Sequence, residues 1–234
     1  MELQHLKALN AARRERKACV MVTDIANGSS RLILEGEDVG GALGDEVASR
    51  FRSAKSGMVE IDGSSLFLNV HLPSPRIVVI GAVHISQALC PMAQIAGFDV
   101  SVIDPRTAFA TPERFVGVDL LADWPEDILK SRPLDAYTAL VAVTHDPKID
   151  DFPLASALKA GCFYVGALGS RKTHGKRVER LLAEGVNDAD IARISAPIGL
   201  DIGASSPAEI AVAVLADIIQ SLRRREPSAL KVVA

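Results

Sequence analysis

The chain has 234 residues, a formal net charge of −3, 48% hydrophobic and 24% charged residues, and only 4% aromatics. This is the mixture of an ordinary globular protein; its slight acidity excludes a global basic field for nucleic acid, and its few aromatics exclude a base-stacking platform. Three cysteines, Cys19, Cys90 and Cys162, are odd in number and lack CxxC spacing, so neither a disulfide framework nor a metal site is expected.

Residues 2–17 read as a polar helix, charged throughout, which predicts no secretory signal and a cytoplasmic location. A strand is predicted over 19–25, a turn at Asn27-Gly-Ser-Ser30, and a short helix over 45–52 with Asp45 as a cap. Runs 58–61 and 65–71 flank Asp62-Gly63, a hairpin signal. Residues 1–72 are therefore expected to form a small N-terminal α+β domain. Leu72-Pro-Ser-Pro75 stops both helix and central strand and marks a hinge.

Beyond the hinge, strands alternate with helices. A continuous β-branched run at 76–80 predicts a strand buried on both faces. A helix over 84–96 follows, bent at Pro91 and stopped by Gly97, then strands at 99–103 and, briefly, 116–118. Trp124 is expected to fill the sheet edge. Further strands are predicted at 138–144 and 163–168, with helices over 151–160, 172–183 and 189–194. The last helix opens with Ser206-Pro-Ala-Glu209, a capping box with Pro at its first position, and ends near Arg224. Its apolar run, 210–219, is too short to span a bilayer. Residues 76–225 thus predict an α/β fold, a Rossmann-like parallel sheet with helices on both faces, followed by a C-terminal tail at 226–234.

Four clusters fall just past predicted strand ends, the side on which open parallel sheets bind ligands. Gly81-Ala-Val-His84 occupies the place of a dinucleotide fingerprint, with Val83 and Ser86 at its second and third glycine positions and Asp104 placed to meet a ribose. A plain tight turn is the alternative. Thr144-His145-Asp146 offers hydroxyl, imidazole and carboxylate to one crevice, with His145 as candidate acid, base or ligand, or merely a turn and cap before the next helix. Gly166-Ala-Leu-Gly169-Ser170-Arg171-Lys172 reads as an anion cradle, because basic residues at a helix start oppose the dipole unless an anion sits there. Asp201 and Gly203 lie in the loop before the last helix, where Asp201 either faces the crevice or ties the loop.

These motifs, in order, resemble the XdhC/CoxI family: Arg76-Ile-Val-Val-Ile-Gly-Ala-Val-His84, Val102-Ile-Asp-Pro-Arg106, Thr144-His-Asp-Pro-Lys148, Tyr164-Val-Gly-Ala-Leu-Gly-Ser-Arg171, Pro197-Ile-Gly-Leu-Asp-Ile-Gly203 and Pro207-Ala-Glu-Ile-Ala211. The match is close over about 75–222, and looser at Gly28-Ser-Ser-Arg31 and Gly41-Ala-Leu-Gly44. The resemblance implies an accessory protein that binds the molybdenum cofactor, as molybdopterin or its dinucleotide form. It would promote the cofactor's sulfuration and its insertion into a client molybdenum hydroxylase. A sulfur-donating enzyme and a second copy of the chain are further candidate partners. Two other functions suit the same fold: an NAD(P)-dependent oxidoreductase, with His145 as proton donor, and a non-catalytic nucleotide-binding or interaction module.

Overall fold

The computed structural model describes residues 3–225, so the expected C-terminal tail lies outside the described residues. The described residues divide into two compact units, one of residues 3–73 with Arg225 and one of Ser74–Arg224.

In the first unit, α1 (Leu3–Arg14) precedes β1 (Cys19–Asp24), β2 (Ser30–Leu34), α2 (Gly41–Ser53), β3 (Gly57–Ile61) and β4 (Ser64–His71). The strands form an antiparallel sheet in the order β2-β1-β4-β3. Alternation along β1 divides its buried side chains between the two faces. Cys19 and Met21 pack with Leu9 and Ala12 of α1, while α2 lies against β1 and β4. Asp62 (φ 51°) and Gly63 (φ 77°) both take positive φ, the two-residue turn that matches strand twist. β2 follows the predicted turn without a separate signal in sequence, and one expectation is corrected: α2 begins at Gly41, so Asp45 lies within the helix rather than capping it.

In the second unit the elements run β5 (Arg76–Ile80), α3 (His84–Ile95), β6 (Asp99–Ile103), β7 (Asp119–Leu121), α4 (Pro125–Ser131), β8 (Thr138–Ala142), α5 (Pro147–Lys159), β9 (Tyr164–Ala167), α6 (Arg171–Ala183), α7 (Asp188–Ile191), β10 (Ile194–Ser195) and α8 (Pro207–Arg223). The sheet is parallel with strand order β10-β9-β8-β5-β6-β7, the doubly wound order of dinucleotide-binding folds. Ile77 and Val79 of β5 pack toward Leu89 and Ala93 of α3 and Val214 and Ile218 of α8. Val78 and Ile80 pack in the opposite layer with Leu154 and Leu158 of α5 and Leu181 of α6. The continuous apolar run is the consequence of both faces being covered.

The third strand of this half is displaced from the expected 116–118, where Val116 is 82% exposed, to Asp119–Leu121. Trp124 stands before Pro125 at the start of α4 and is half-exposed instead of filling the sheet edge. α5 starts four residues earlier than predicted, because Asp146 caps it and Pro147 occupies its first turn. The Ser206–Glu209 capping box forms reciprocally at α8.

Gly199 ties the loop before α8 to that helix. Its φ is +87°, and an added Cβ would lie 2.9 Å from the Ala213 carbonyl carbon and the Val214 nitrogen. Gly199→Ala should therefore cost about 1–3 kcal/mol, read as a lower denaturant midpoint at unchanged slope.

Candidate functional site

The strand order reverses direction between β5 and β8: the chain leaves β5 toward α3 on one face and β8 toward α5 on the other. Loops diverging in this way open a crevice at the strands' C-terminal ends. Gly81 (φ +119°) closes β5 so tightly that a Cβ would meet Thr144 Cγ2 at 2.9 Å. The two loops thus touch at the reversal, and glycine is needed there for conformation and for space. Ser86, in the third fingerprint position, is buried and donates its hydroxyl to the Gly81 carbonyl, stapling the turn. Val83 is the extended N-cap residue of α3 and packs on the core, whereas His84 is exposed at the helix start.

Asp104 does not stand where a ribose would meet it. Its side chain is fully buried, and its oxygens accept from the Ala82 nitrogen (2.7 Å), the Arg106 nitrogen (2.9 Å), Arg106 Nε (2.9 Å) and Arg106 Nη2 (2.7 Å). Although burial works the other way, the Arg106 guanidinium and these N–H groups hold its carboxyl below the usual carboxylate range. With its acceptor capacity filled, Asp104 ties the ends of β5 and β6 together. The partly exposed group beside it is Arg106, stacked 4.7 Å over the Phe109 ring and electrostatically coupled to Asp146 and Asp150.

The Thr144–Asp146 turn is held from beneath by Asp150, which is 1% exposed. Thr144 Oγ1 donates to one Asp150 oxygen at 2.7 Å and the His145 backbone nitrogen to the other at 3.1 Å. His145 is thereby fixed at φ 66°, a left-handed conformation uncommon outside glycine, with its side chain in solvent. Asp146 Oδ1 caps α5 through the Lys148 nitrogen at 3.0 Å. Of the open readings for this cluster, the cap therefore belongs to Asp146, while the exposed His145 side chain takes no part in it.

The third cluster divides. Gly166 lies inside β9, where a Cβ would come within 2.7 Å of Ile198 and Tyr164, so it is a packing glycine and not part of a cradle. Ser170 caps α6 by accepting from the Thr173 nitrogen at 3.2 Å, which commits its oxygen to the helix. Gly169 (φ +138°) turns the chain into α6, whose first turn carries Arg171 and Lys172 with no acidic residue. Asp201 and Gly203 are exposed, and Asp201 makes no side-chain hydrogen bond among the described residues. Neither is brought against the other clusters by any hydrogen bond or buried contact.

Sequence reading missed the groups around Asp150. A cavity of about 300 Å³ beside the β8–α5 turn is lined by His145, Asp150, Lys172, Lys176, Arg177 and Arg180, among others. Arg180 pairs with Asp151 through Nε–Oδ2 and through Nη2–Oδ1 at 3.1 Å. The available signal was the α6 stripe Thr173, Lys176, Arg177, Arg180, whose helical spacing puts polar groups on one face. Among the described residues no cluster of His, Cys, Asp and Glu could hold a metal ion, and no helix is long and apolar enough to cross a membrane.

Burial pushes the Asp150 carboxyl up to about 6 from 3.8, against the lowering effects of Thr144 and Arg177. Between these values the native state keeps a proton that the unfolded chain has released, so this group's contribution to stability falls as pH rises. Relative to Asp150→Asn, the wild type should lose on the order of 2–3 kcal/mol between about pH 4 and pH 7. Denaturant midpoints of both proteins across that range check it; parallel curves would show that Asp150 titrates normally.

Comparison with known proteins places this architecture. The chain is 33% identical over 165 residues to the uncharacterized protein YqeB of Escherichia coli, covering 67% of this chain and 29% of that protein. It is 33% identical over 162 residues to a probable xanthine dehydrogenase subunit of Bacillus subtilis (69% of this chain, 47% of the relative) and 28% identical over 159 residues to the molybdenum cofactor insertion chaperone PaoD of E. coli (68% and 44%). The chain therefore spans less than half the length of these curated relatives. A crystal structure from Bacillus halodurans, described as a xanthine dehydrogenase, superposes with a TM-score of 0.61 at 25% identity, covering 95% of this chain and 65% of the other. Residues 77–218, from β5 into α8, match the model of the XdhC Rossmann domain, and the chain belongs to the XdhC family.

Proposed function

We propose that this protein binds a molybdenum cofactor at the β5–β8 strand reversal and delivers it to a client molybdenum hydroxylase. The observation that carries this reading is His145. It is an exposed imidazole held at φ 66° by a buried carboxylate, at the reversal where doubly wound sheets take their ligands. The relatives' descriptions, a cofactor insertion chaperone and a xanthine dehydrogenase subunit, supply the cofactor and client classes.

The residues present suit a phosphorylated pterin. The start of α6 offers Gly169, Arg171 and Lys172 with no carboxylate in the first turn, so its dipole and side chains are both positive toward an anion. His145 offers a ring nitrogen to a polar edge. When bound, the cofactor supplies the metal chemistry that the client uses; this chain's groups bind and orient it.

A nicotinamide dinucleotide is less well served, since Val83 occupies the close-approach position and Asp104 has no acceptor left for a ribose. NAD and NADP should accordingly show no micromolar binding by calorimetry.

In this reading sulfuration draws on a separate sulfur-donating enzyme. Cys19, Cys90 and Cys162 are all buried, and burial raises their thiols to about 11, 12 and 12. A sulfur carrier needs an accessible thiolate. The protein works in the cytoplasm, where these thiols stay reduced.

Mass spectrometry of the chain purified from a molybdenum-replete host should find retained pterin cofactor; none would remove the reading. His145→Asn, which tolerates the left-handed backbone, should melt like wild type yet activate the client hydroxylase at least about tenfold less in a strain lacking the native protein. Full activation would take His145 out of the site.

A further inference from the structure

We propose that the cavity between the β8–α5 turn and α6 is a phosphate-monoester site anchored by Arg177. The starting point is a buried cation with too few partners. Arg177 is 2% exposed, and Nη2 donates to the Leu168 carbonyl at 2.9 Å, while Nε and Nη1 are buried with no partner among the described residues.

The other arginines near the sheet are provided for. Arg76 bonds Asp135 and Thr138, Arg106 bonds Asp104, and Arg180 bonds Asp151. Asp150 and Asp151 both attract Arg177 electrostatically, but neither makes an ion pair with it: the Asp150 oxygens accept from Thr144 and His145, and those of Asp151 from Arg180. Buried guanidinium N–H groups left without an acceptor are costly, so an arginine whose Nε and Nη1 are retained in this state calls for an anion that accepts from them.

The surroundings specify which anion. Arg177 lines the 300 Å³ cavity together with Asp150 and with Lys172 and Lys176, which make no ion pair among the described residues, while Arg180 is paired with Asp151, so four cations face two carboxylates there. That excess of positive charge favours a dianion over a monoanion. The start of α6 adds its unpaired N–H groups. A phosphate monoester is dianionic near neutral pH, whereas a phosphodiester is not. The site deepens the proposed function and rests on it for its natural ligand, because a pterin cofactor that ends in a phosphate monoester would place that phosphate here. It moves the anion from the exposed Arg171 to the buried Arg177, about two turns into the helix.

The test uses the full chain and probes without a pterin: inorganic phosphate, phenyl phosphate and dimethyl phosphate, titrated calorimetrically at fixed ionic strength. The first two should bind saturably and raise the melting temperature, and dimethyl phosphate should bind at least tenfold more weakly. Joint replacement of the exposed Lys172 and Lys176 by Ala should weaken phosphate roughly tenfold or more. Arg177→Gln should abolish binding. Should that variant not fold, Arg177→Lys keeps the charge, and phosphate affinity should still fall about tenfold because a compact ammonium lacks the planar fork that spans the Leu168 carbonyl and the ligand. No phosphate binding by folded wild type, or wild-type affinity in the Lys172/Lys176 double variant, overturns the site. Equal affinity for dimethyl phosphate overturns the monoester class. A chain that retains pterin cofactor but takes no phosphate probe loses this site and keeps the cofactor reading; one that binds phosphate but never holds a pterin does the reverse.

Discussion

The candidate site depends on one buried carboxylate. Asp150 sits beneath the turn that follows β8 and accepts from the Thr144 hydroxyl and the His145 backbone nitrogen. Those two bonds hold a non-glycine residue in a left-handed conformation that its own side chain opposes. Without them the turn would relax, and His145 would lose its fixed station at the sheet's reversal. The burial that makes Asp150 an effective brace also favours its neutral form, so the same desolvation sets both the geometry and the proton affinity.

A second tie of the same kind lies across the crevice. Asp104 is fully buried and joins the first turn after β5 to Arg106 after β6. Between the two ties, Gly81 packs on Thr144 so closely that no side chain fits. Two inward-facing carboxylates therefore organise loops around a rigid parallel sheet, and the groups left outward beside them include the basic Arg106, Lys172 and Lys176 together with His145. With Asp104 and Asp150 turned inward and these bases presented, the loops beside them suit an anionic ligand.

Most of the second unit was legible in sequence because its signals are local or periodic. The β-branched run at 76–80, the Ser206–Glu209 capping box and the glycine after α3 each report a backbone state set by neighbouring residues. The Asp62-Gly63 turn did the same for the first unit. Two of the elements that were missed lack such a signal. β2 is stabilised by pairing with β1, and β7 is placed by its ladder with β6, both non-local contacts. At the site, Asp104 occupied the textual position of a ribose acceptor, yet hydrogen bonds from Ala82 and Arg106 consume it. Gly166 and Ser170 similarly fit a phosphate-loop pattern while serving packing and capping.

The sequence by itself determined the alternation of strands and helices, the places where loops leave the strand ends, and the family to which the chain belongs, since each is written in short-range pattern or in an ordered set of motifs. Only the tertiary structure decided which polar residues are spent inside the fold and which remain for a ligand. Burial is a property of three-dimensional packing: Asp150 and Arg177 are 27 residues apart in sequence, and neither looks unusual until the sheet brings α5 and α6 side by side and removes both charges from water.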